Sequence, residues 1–164
     1  MPNGSLKDLY LDDLGELRDT ENQKILALPR LAEAARVPEL RAILERLCLE
    51  ARLHLERVDL IFTHWGERRR TRWSAGLAGI VQEADDRLND PATQSARDAA
   101  IVGVARRIAH YEMAAYGGAR LYACWLNRLD DARLLEETLE DETRADRRLA
   151  EIAEAHISGH LSAA

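Results

Sequence analysis

Apolar residues recur every three or four positions along most of this chain, which is the spacing that returns to one face of an α-helix. Strand signals are nearly absent, so the pattern predicts an all-α protein. Boundary signals are Pro38 in a first helical turn, Gly66 after a helix end, and the break at Asn89-Asp90-Pro91. The predicted elements are four long helices, over residues 5–36, 38–65, 95–126 and about 131–156, with a shorter crossover helix over residues 73–88.

Two smaller expectations concern helix continuity and ends. Pro29 lies inside the first helical pattern and predicts a local irregularity through which the helix continues. Ser95, followed three residues later by Asp98, is typical of a helix N-terminus. The last residues, 158–164, are expected to form a frayed tail.

Ionisable residues interrupt the apolar stripes of all four long helices. In the second helix, for example, the steps of three and four pass through Leu47, Glu50, His54 and Val58. A carboxylate on a buried face costs several kcal/mol unless it is protonated, paired or bound to a metal ion. Such residues therefore need partners inside the fold. The candidate set is Glu21, Glu50, His54, Glu112, Glu142 and Asp146.

These interruptions are spaced as a repeat. Glu50 follows Glu21 by 29 positions and Glu142 follows Glu112 by 30, while His54 and Asp146 each come four residues after a glutamate. Corresponding residues of the two halves are 91 or 92 positions apart. The pattern predicts a duplicated helical hairpin, and thus a four-helix bundle.

Metal coordination is the chemistry that this donor set favours. Residues four apart lie one above the other on a helix, so two such pairs and two single glutamates can surround one or two metal ions in a bundle. Oxygen donors with a single imidazole favour iron or manganese, although affinity alone does not exclude zinc. Without metal, the cluster should repel itself and raise the pKa values of some carboxyl groups.

Composition limits the other function classes. The length of 164 residues fits one domain, over residues 1–164. The net charge of −6 argues against a general nucleic-acid binder. No stretch approaches the ~20 apolar residues of a membrane span, and the N-terminus lacks the pattern of an export signal. The expectation is a cytoplasmic protein that does not bind membranes.

The remaining reactive or charged side chains receive structural interpretations. Cys48 and Cys124 lie within helical patterns and are predicted to be buried free thiols. Four arginines lie in residues 68–72 and are interpreted as a solvated connector, with phosphate binding as the alternative. The histidines other than His54 are predicted to be structural or solvated, namely His64, His110, His156 and His160.

Several motifs resemble one bacterial family. The run Ala109–Gly117, Ala-His-Tyr-Glu-Met-Ala-Ala-Tyr-Gly, resembles the His-Tyr-Glu-x-x-x-Tyr-Gly signature of the YciE/YciF-like proteins, a branch of the ferritin-like superfamily. Residues 20–23 and 27–32 look like its Ala-Glu-Lys-Gln and Ala-Leu-Pro-Lys stretches. Residues 49–57 and 135–146 resemble its second-helix and last-helix motifs. The resemblance covers nearly the whole chain.

The resemblance implies a ferritin-like bundle with an extra short helix in the long crossover, a homodimer, a dinuclear metal centre and a role in stress responses. It carries the same six candidate ligands. Two departures stand out: the family often has a glutamate at the position of Ala109 and a tyrosine at the position of Arg18. Loss of that carboxylate would remove a bridging or supporting group.

Two functions follow as hypotheses. The first is a dinuclear iron or manganese oxidoreductase acting on oxygen, peroxide or ferrous iron, with Tyr10, Tyr111 or Tyr116 as possible donors around the centre. The second is a non-catalytic structural or binding protein of the stress response, in which the metal site is vestigial or only stabilises the bundle.

Overall fold

The computed structural model describes residues 4–90 and 96–157. These ranges contain five α-helices and no strand. The four long helices and the shorter crossover helix are therefore confirmed. The predicted helix start at Ser95, the break at Pro91 and the tail over residues 158–164 lie outside the described residues. The helices are α1 (Leu6–Ala34), α2 (Pro38–His64), α3 (Ala75–Asn89), α4 (Arg97–Trp125) and α5 (Leu129–Ile152), followed by a π-helical turn (Ala153–Ile157).

Side chains close both ends of α1. Ser5 Oγ accepts a hydrogen bond from the backbone N–H of Asp8 at 3.1 Å, and the Asp8 carboxylate accepts one from the backbone N–H of Ser5 at 3.3 Å. At the other end, the Arg41 guanidinium donates to the carbonyls of Ala32 and Ala35. These bonds satisfy helix-end groups and hold the short turn into α2. The helix continues through Pro29, as predicted.

Two helical hairpins form the bundle. The first hairpin is α1 with α2, the second is α4 with α5, and contacts of α1 with α4 and of α2 with α5 join them. The crossover helix α3 packs on α4 and α1. This arrangement confirms the predicted all-α, ferritin-like four-helix bundle.

Two apolar clusters fill the bundle, one at each end. One contains Tyr10, Leu14, Ile61 and Phe62, and the other contains residues such as Leu44. A layer of buried polar side chains separates them along the helices. The layer consists of Thr20, Glu21, Lys24, His54, Glu112, Thr138 and Glu142.

The two cysteines differ in environment. Cys48 is buried, and its Sγ lies 3.6 Å from the carbonyl oxygen of Ile25, so the prediction for this residue is confirmed. The prediction for Cys124 is wrong, because the thiol is exposed. The reason is its position on α4, where the neighbouring Ala123 takes the buried face. None of the helices in the described ranges is long and apolar enough to cross a membrane.

Candidate functional site

The candidate site is the polar layer at the middle of the bundle. It contains five ionisable side chains that are each at most 2% exposed. Each long helix contributes at least one of them. They are Glu21 and Lys24 from α1, His54 from α2, Glu112 from α4 and Glu142 from α5.

Lys24 occupies the centre of this group. Its Nζ lies 2.5 Å from Glu142 Oε1 and 2.6 Å from Glu112 Oε2, and it donates a hydrogen bond to each. Glu21 Oε2 lies 3.9 Å from the same nitrogen, one helical turn before it on α1. A single ammonium therefore faces three carboxylates from three helices. Such charge-assisted hydrogen bonds are among the strongest in proteins.

His54 and Tyr116 complete the surroundings of the carboxylates. His54 Nδ1 lies 3.4 Å from Glu21 Oε1 and 3.4 Å from Glu142 Oε1, without the geometry of a hydrogen bond to either. Its Nε2 lies 3.2 Å from Asp141 Oδ2, at the rim of the layer. The Tyr116 hydroxyl donates to Glu21 Oε1 at 2.7 Å. Of the three tyrosines considered from the sequence, Tyr116 is therefore the one bonded to a candidate carboxylate.

The carboxyl groups of Glu21 and Glu112 have opposite pKa shifts. Burial alone would raise the pKa of Glu21, but attraction by Lys24 and contacts with His54 outweigh it and lower the pKa. Burial and repulsion by Glu142 and Glu21 raise the pKa of Glu112 well above its usual value. The pKa of Lys24 rises well above its usual value, because attraction by Glu112 and Glu142 outweighs the effect of burial. Lys24 is thus an ammonium at neutral pH.

The structure brings together four of the six sequence-predicted site residues, namely Glu21, His54, Glu112 and Glu142. Glu50 lies outside this group. Ala51, which is fully buried, occupies the inward position between Leu47 and His54. Glu50 instead accepts a hydrogen bond from Arg46 at 2.8 Å, and its side chain is 23% exposed. The steps Leu47–Ala51–His54 follow the helical period as well as the steps through Glu50 do.

Asp146 also lies outside the group. Ala145 takes the buried position one turn after Glu142, and the Asp146 side chain turns towards α4. There it accepts a hydrogen bond from Arg106 at 2.7 Å and lies 3.1 Å from His110 Nε2. The bond from Arg106 lowers the pKa of Asp146.

The two departures from the family motif have different surroundings. Ala109 is buried, so no carboxylate stands at that core position. The Arg18 side chain turns away from the polar layer and donates to Asp59 at 2.8 Å. The arginine connector is likewise tied to acidic residues, with Arg69 contacting Asp59 and Arg72 contacting Asp12. These contacts agree with a connector whose charges face acidic helices.

Lys24 is the site residue that sequence reasoning missed. Its position carried a usable signal, because it lies three residues after Glu21 and four before the buried Leu28. The apolar stripe predicted for the first helix passes through the neighbouring Ile25 instead, and that choice fits the helical period equally well. Ile25 is only half-buried, whereas Lys24 faces the centre.

The arrangement around Lys24 does not fit a dinuclear metal centre. Two divalent ions beside the ammonium would leave an excess of positive charge over three carboxylates in a buried layer, which carries a large desolvation cost. Within residues 4–90 and 96–157, no three His, Cys, Asp or Glu side chains are arranged to hold a metal ion. What the arrangement does provide is an internal counter-charge. The expected two bound ions stay a prediction.

Comparisons with known proteins extend the resemblance to the whole chain. The model of a family described as "Domain of unknown function (DUF892)" matches residues 5–162. Protein YciF of Escherichia coli K12 is 28% identical over 150 residues, which cover 91% of this chain and 90% of YciF.

Solved structures agree with this match. YcfI of Rhodopseudomonas palustris, for which a structural role has been suggested, superposes with a TM-score of 0.87 at 30% identity and covers 91% of this chain and 95% of its own. The crystal structure of the E. coli stress protein YciF gives a TM-score of 0.86 at 27% identity, with 91% and 94% covered. A Xanthomonas campestris protein at 18% identity, with a TM-score of 0.76 and 96% and 97% covered, supports the fold alone. The predicted resemblance to the YciE/YciF-like proteins is confirmed.

Proposed function

This chain belongs to the DUF892 family, and from that premise we propose that it serves the stress response as a non-catalytic structural or binding protein whose buried carboxylates are neutralised by Lys24. The link to stress comes from the E. coli relative, which is described as a stress protein. The structural role follows the suggestion made for the R. palustris relative. Both transfers rest on similarity over about nine-tenths of the chain.

The observation that carries the proposal is the pair of contacts from Lys24 Nζ to Glu112 and Glu142, at 2.6 and 2.5 Å. A metal ion in a carboxylate cluster offsets negative charge and ties helices together. The lysine does both from within the chain, since it links α1 to α4 and α5. The fold therefore needs no metal supply to keep its centre compact.

The second candidate is the dinuclear iron or manganese oxidoreductase acting on oxygen, peroxide or ferrous iron. One observation favours it. Three buried atoms of the kind that coordinate metal ions make no hydrogen bond: Glu21 Oε2, His54 Nδ1 and Glu112 Oε1. Unsatisfied buried polar atoms are uncommon in folded proteins and call for an explanation. For these atoms to hold metal, the Lys24 side chain would have to leave the carboxylates.

Metal analysis separates the two candidates. The wild-type protein is purified without chelator, incubated with Fe²⁺ or Mn²⁺ under anaerobic conditions, desalted and analysed for bound metal. We expect far less than one ion per chain and a melting temperature that neither ion changes. Roughly two ions per chain, together with turnover of peroxide or ferrous iron, would replace our proposal with the oxidoreductase.

A variant without the buried cation provides the comparison sample that we expect to bind metal. Lys24→Met removes the internal cation and leaves Glu21, Glu112 and Glu142 without a counter-charge, so we expect it to bind Mn²⁺ and to melt at a higher temperature when Mn²⁺ is present. Lys7→Met, at an exposed site, serves as the control and should show neither effect. Equal Mn²⁺ binding by wild type and Lys24→Met would show that the lysine does not exclude metal.

A further inference from the structure

Three arginine side chains from two helices line one groove between α2 and α5. Arg46 belongs to α2, whereas Arg144 and Arg148 lie one turn apart on α5. The groove has a volume of about 90 Å³ and is partly open to solvent. A concave surface that gathers charges of one sign concentrates the field there and attracts ions of the opposite sign. The groove is therefore a place where the protein attracts an anion, although its net charge is −6.

Carboxylates on the walls of the groove neutralise only part of this positive charge. Glu50 accepts a hydrogen bond from Arg46 at 2.8 Å, and Asp141 accepts one from Arg144. Arg148 makes no hydrogen bond or ion pair with any part of the chain that the structure describes. With three arginines and two carboxylates, the lining carries a charge of +1. Because a guanidinium has several N–H donors, an incoming anion meets one unpaired arginine and unused donors on the other two.

The donors of the groove suit a phosphate group. Arginine forks donate paired hydrogen bonds to the oxygens of carboxylates and phosphates. A carboxylate has two oxygens, whereas a phosphate monoester has three terminal oxygens that arginines can approach from three directions. We propose that the groove binds a small phosphate monoester, whose phosphoryl group is held by Arg46, Arg144 and Arg148. The groove lies outside the polar layer, so this site does not depend on whether Lys24 excludes metal ions.

The floor of the groove is apolar. Ile43, Leu47 and Ala145 form it, and the methylene stems of the arginines add to its sides. A substituent that rests on this surface removes apolar area from water, which a bare phosphate ion does not do. We therefore expect the ligand to be an ester with a small apolar group, bound at least ~3-fold more tightly than inorganic phosphate.

The first test is a calorimetric titration of the full chain with phenyl phosphate at pH 8, where phosphate monoesters are dianions. We expect saturable binding, with a dissociation constant that rises at least ~10-fold in Arg148→Met. Arg148 has no partner within the described chain, so its removal leaves no carboxylate unpaired. Arg147→Met is the matched control, because Arg147 is exposed beside it on α5 but does not line the groove. Absence of binding to wild type, or equal weakening by the two changes, would overturn the proposal.

Two further titrants identify the group that the arginines hold. Benzoate keeps the ring of phenyl phosphate but carries a carboxylate, so we expect it to bind at least ~10-fold more weakly. Inorganic phosphate lacks the ring and should bind at least ~3-fold more weakly than phenyl phosphate. Benzoate that binds as tightly as phenyl phosphate would overturn the choice of a phosphate group. Inorganic phosphate that binds as tightly would overturn the choice of an ester and leave the free ion as the ligand.

A change at Glu50 tests the contribution of Arg46. Glu50→Gln removes the carboxylate that accepts from Arg46, so we expect the dissociation constant for phenyl phosphate to fall roughly 2- to 5-fold. Glu56→Gln is the control and should leave the constant unchanged, since Glu56 is exposed on the same helix but does not line the groove. Circular dichroism checks that each variant is folded. An unchanged constant in Glu50→Gln, or an equal fall in both variants, would show that Arg46 does not hold the phosphate and would overturn the site of three arginines.

Discussion

Lys24 Nζ lies 2.6 Å from Oε2 of Glu112, although 88 residues separate the two in the chain. Both side chains are at most 2% exposed, so the contact is shielded from bulk solvent. Removing one partner of a buried ion pair leaves the other unpaired in a medium of low dielectric constant. Because Lys24 lies on α1 and Glu112 on α4, the contact also links the first hairpin to the second at the middle of the bundle.

The first prediction concerns this link. Lys24→Met should lower the free energy of unfolding at pH 7 by about 3–5 kcal/mol, because three buried carboxylates lose their cation. Urea denaturation followed by circular dichroism measures the change. Lys7→Met is the control: Lys7 contacts Glu67 at 3.1 Å on the surface, and its loss should cost no more than about 1 kcal/mol. Equal losses of unfolding free energy in the two variants would show that the buried contacts of Lys24 do not stabilise the bundle.

The second prediction uses the raised pKa of Glu112. Burial and the nearby Glu142 and Glu21 raise this pKa well above 4.5, so the folded state keeps a proton that the unfolded state loses above pH 4.5. The folded state then binds more protons, and stability falls as the pH rises. Glu112→Gln keeps the shape and the acceptor for Lys24 but removes this cost. Its stability relative to wild type should therefore increase from pH 4.5 towards neutral pH.

The measurement for Glu112→Gln is a series of urea titrations between pH 4 and pH 8. Glu140→Gln, at an exposed position of α5, is the control and should track wild type across the series. A Glu112→Gln curve parallel to wild type at every pH would mean that folding does not raise the pKa of Glu112.

Helical periodicity was sufficient to predict the fold but not every inward position. The helices are long, and their stripes repeat over many turns, so one ambiguous residue does not change the element. At a single turn, however, steps of three and four are both allowed. Between Leu47 and His54 the chain turns Ala51 inward rather than Glu50, and after Glu142 it turns Ala145 inward rather than Asp146. In both places the alanine packs in the core, and the neighbouring carboxylate instead accepts a hydrogen bond from an arginine outside it.

The contacts of Lys24 could not be read from its local sequence. A lysine on a helix with many charges is ordinarily solvated, and its burial depends on carboxylates more than 80 residues away. The predicted convergence of Glu21, His54, Glu112 and Glu142 came from their shared spacing in two hairpins. The missing step was to ask whether the chain itself supplied a cation for them.

The third prediction concerns Tyr116 and Glu21. Their 2.7 Å hydrogen bond is fully buried and helps to lower the pKa of Glu21. Tyr116→Phe should cost about 1–3 kcal/mol at pH 7, because one carboxylate oxygen loses its donor. A lowered pKa contributes stability above the unfolded value of 4.5, and this stability is lost as the pH falls through the folded pKa. The difference from wild type should therefore shrink in acid.

Acid and neutral urea titrations test the prediction for Tyr116→Phe. Tyr122→Phe is a suitable control, since Tyr122 lies further along α4 and packs against Trp125. It should show no such pH-dependent difference. A difference for Tyr116→Phe that is constant from pH 3 to pH 7 would indicate lost packing rather than a lost bond to Glu21.

The last prediction concerns Asp131, which joins the end of α2 to the start of α5. It is 1% exposed and accepts hydrogen bonds from Trp65 Nε1 at 2.8 Å and, with that nitrogen protonated, from His64 Nδ1 at 2.7 Å. Asp131→Asn replaces one acceptor oxygen by an amide that faces a donor, so we expect a loss of about 1.5–3 kcal/mol in urea denaturation at pH 7. Asp130→Asn, at the exposed neighbouring position, should change stability by less than about 0.5 kcal/mol. Equal losses would assign the effect to charge near the helix N-terminus instead of to the buried bonds.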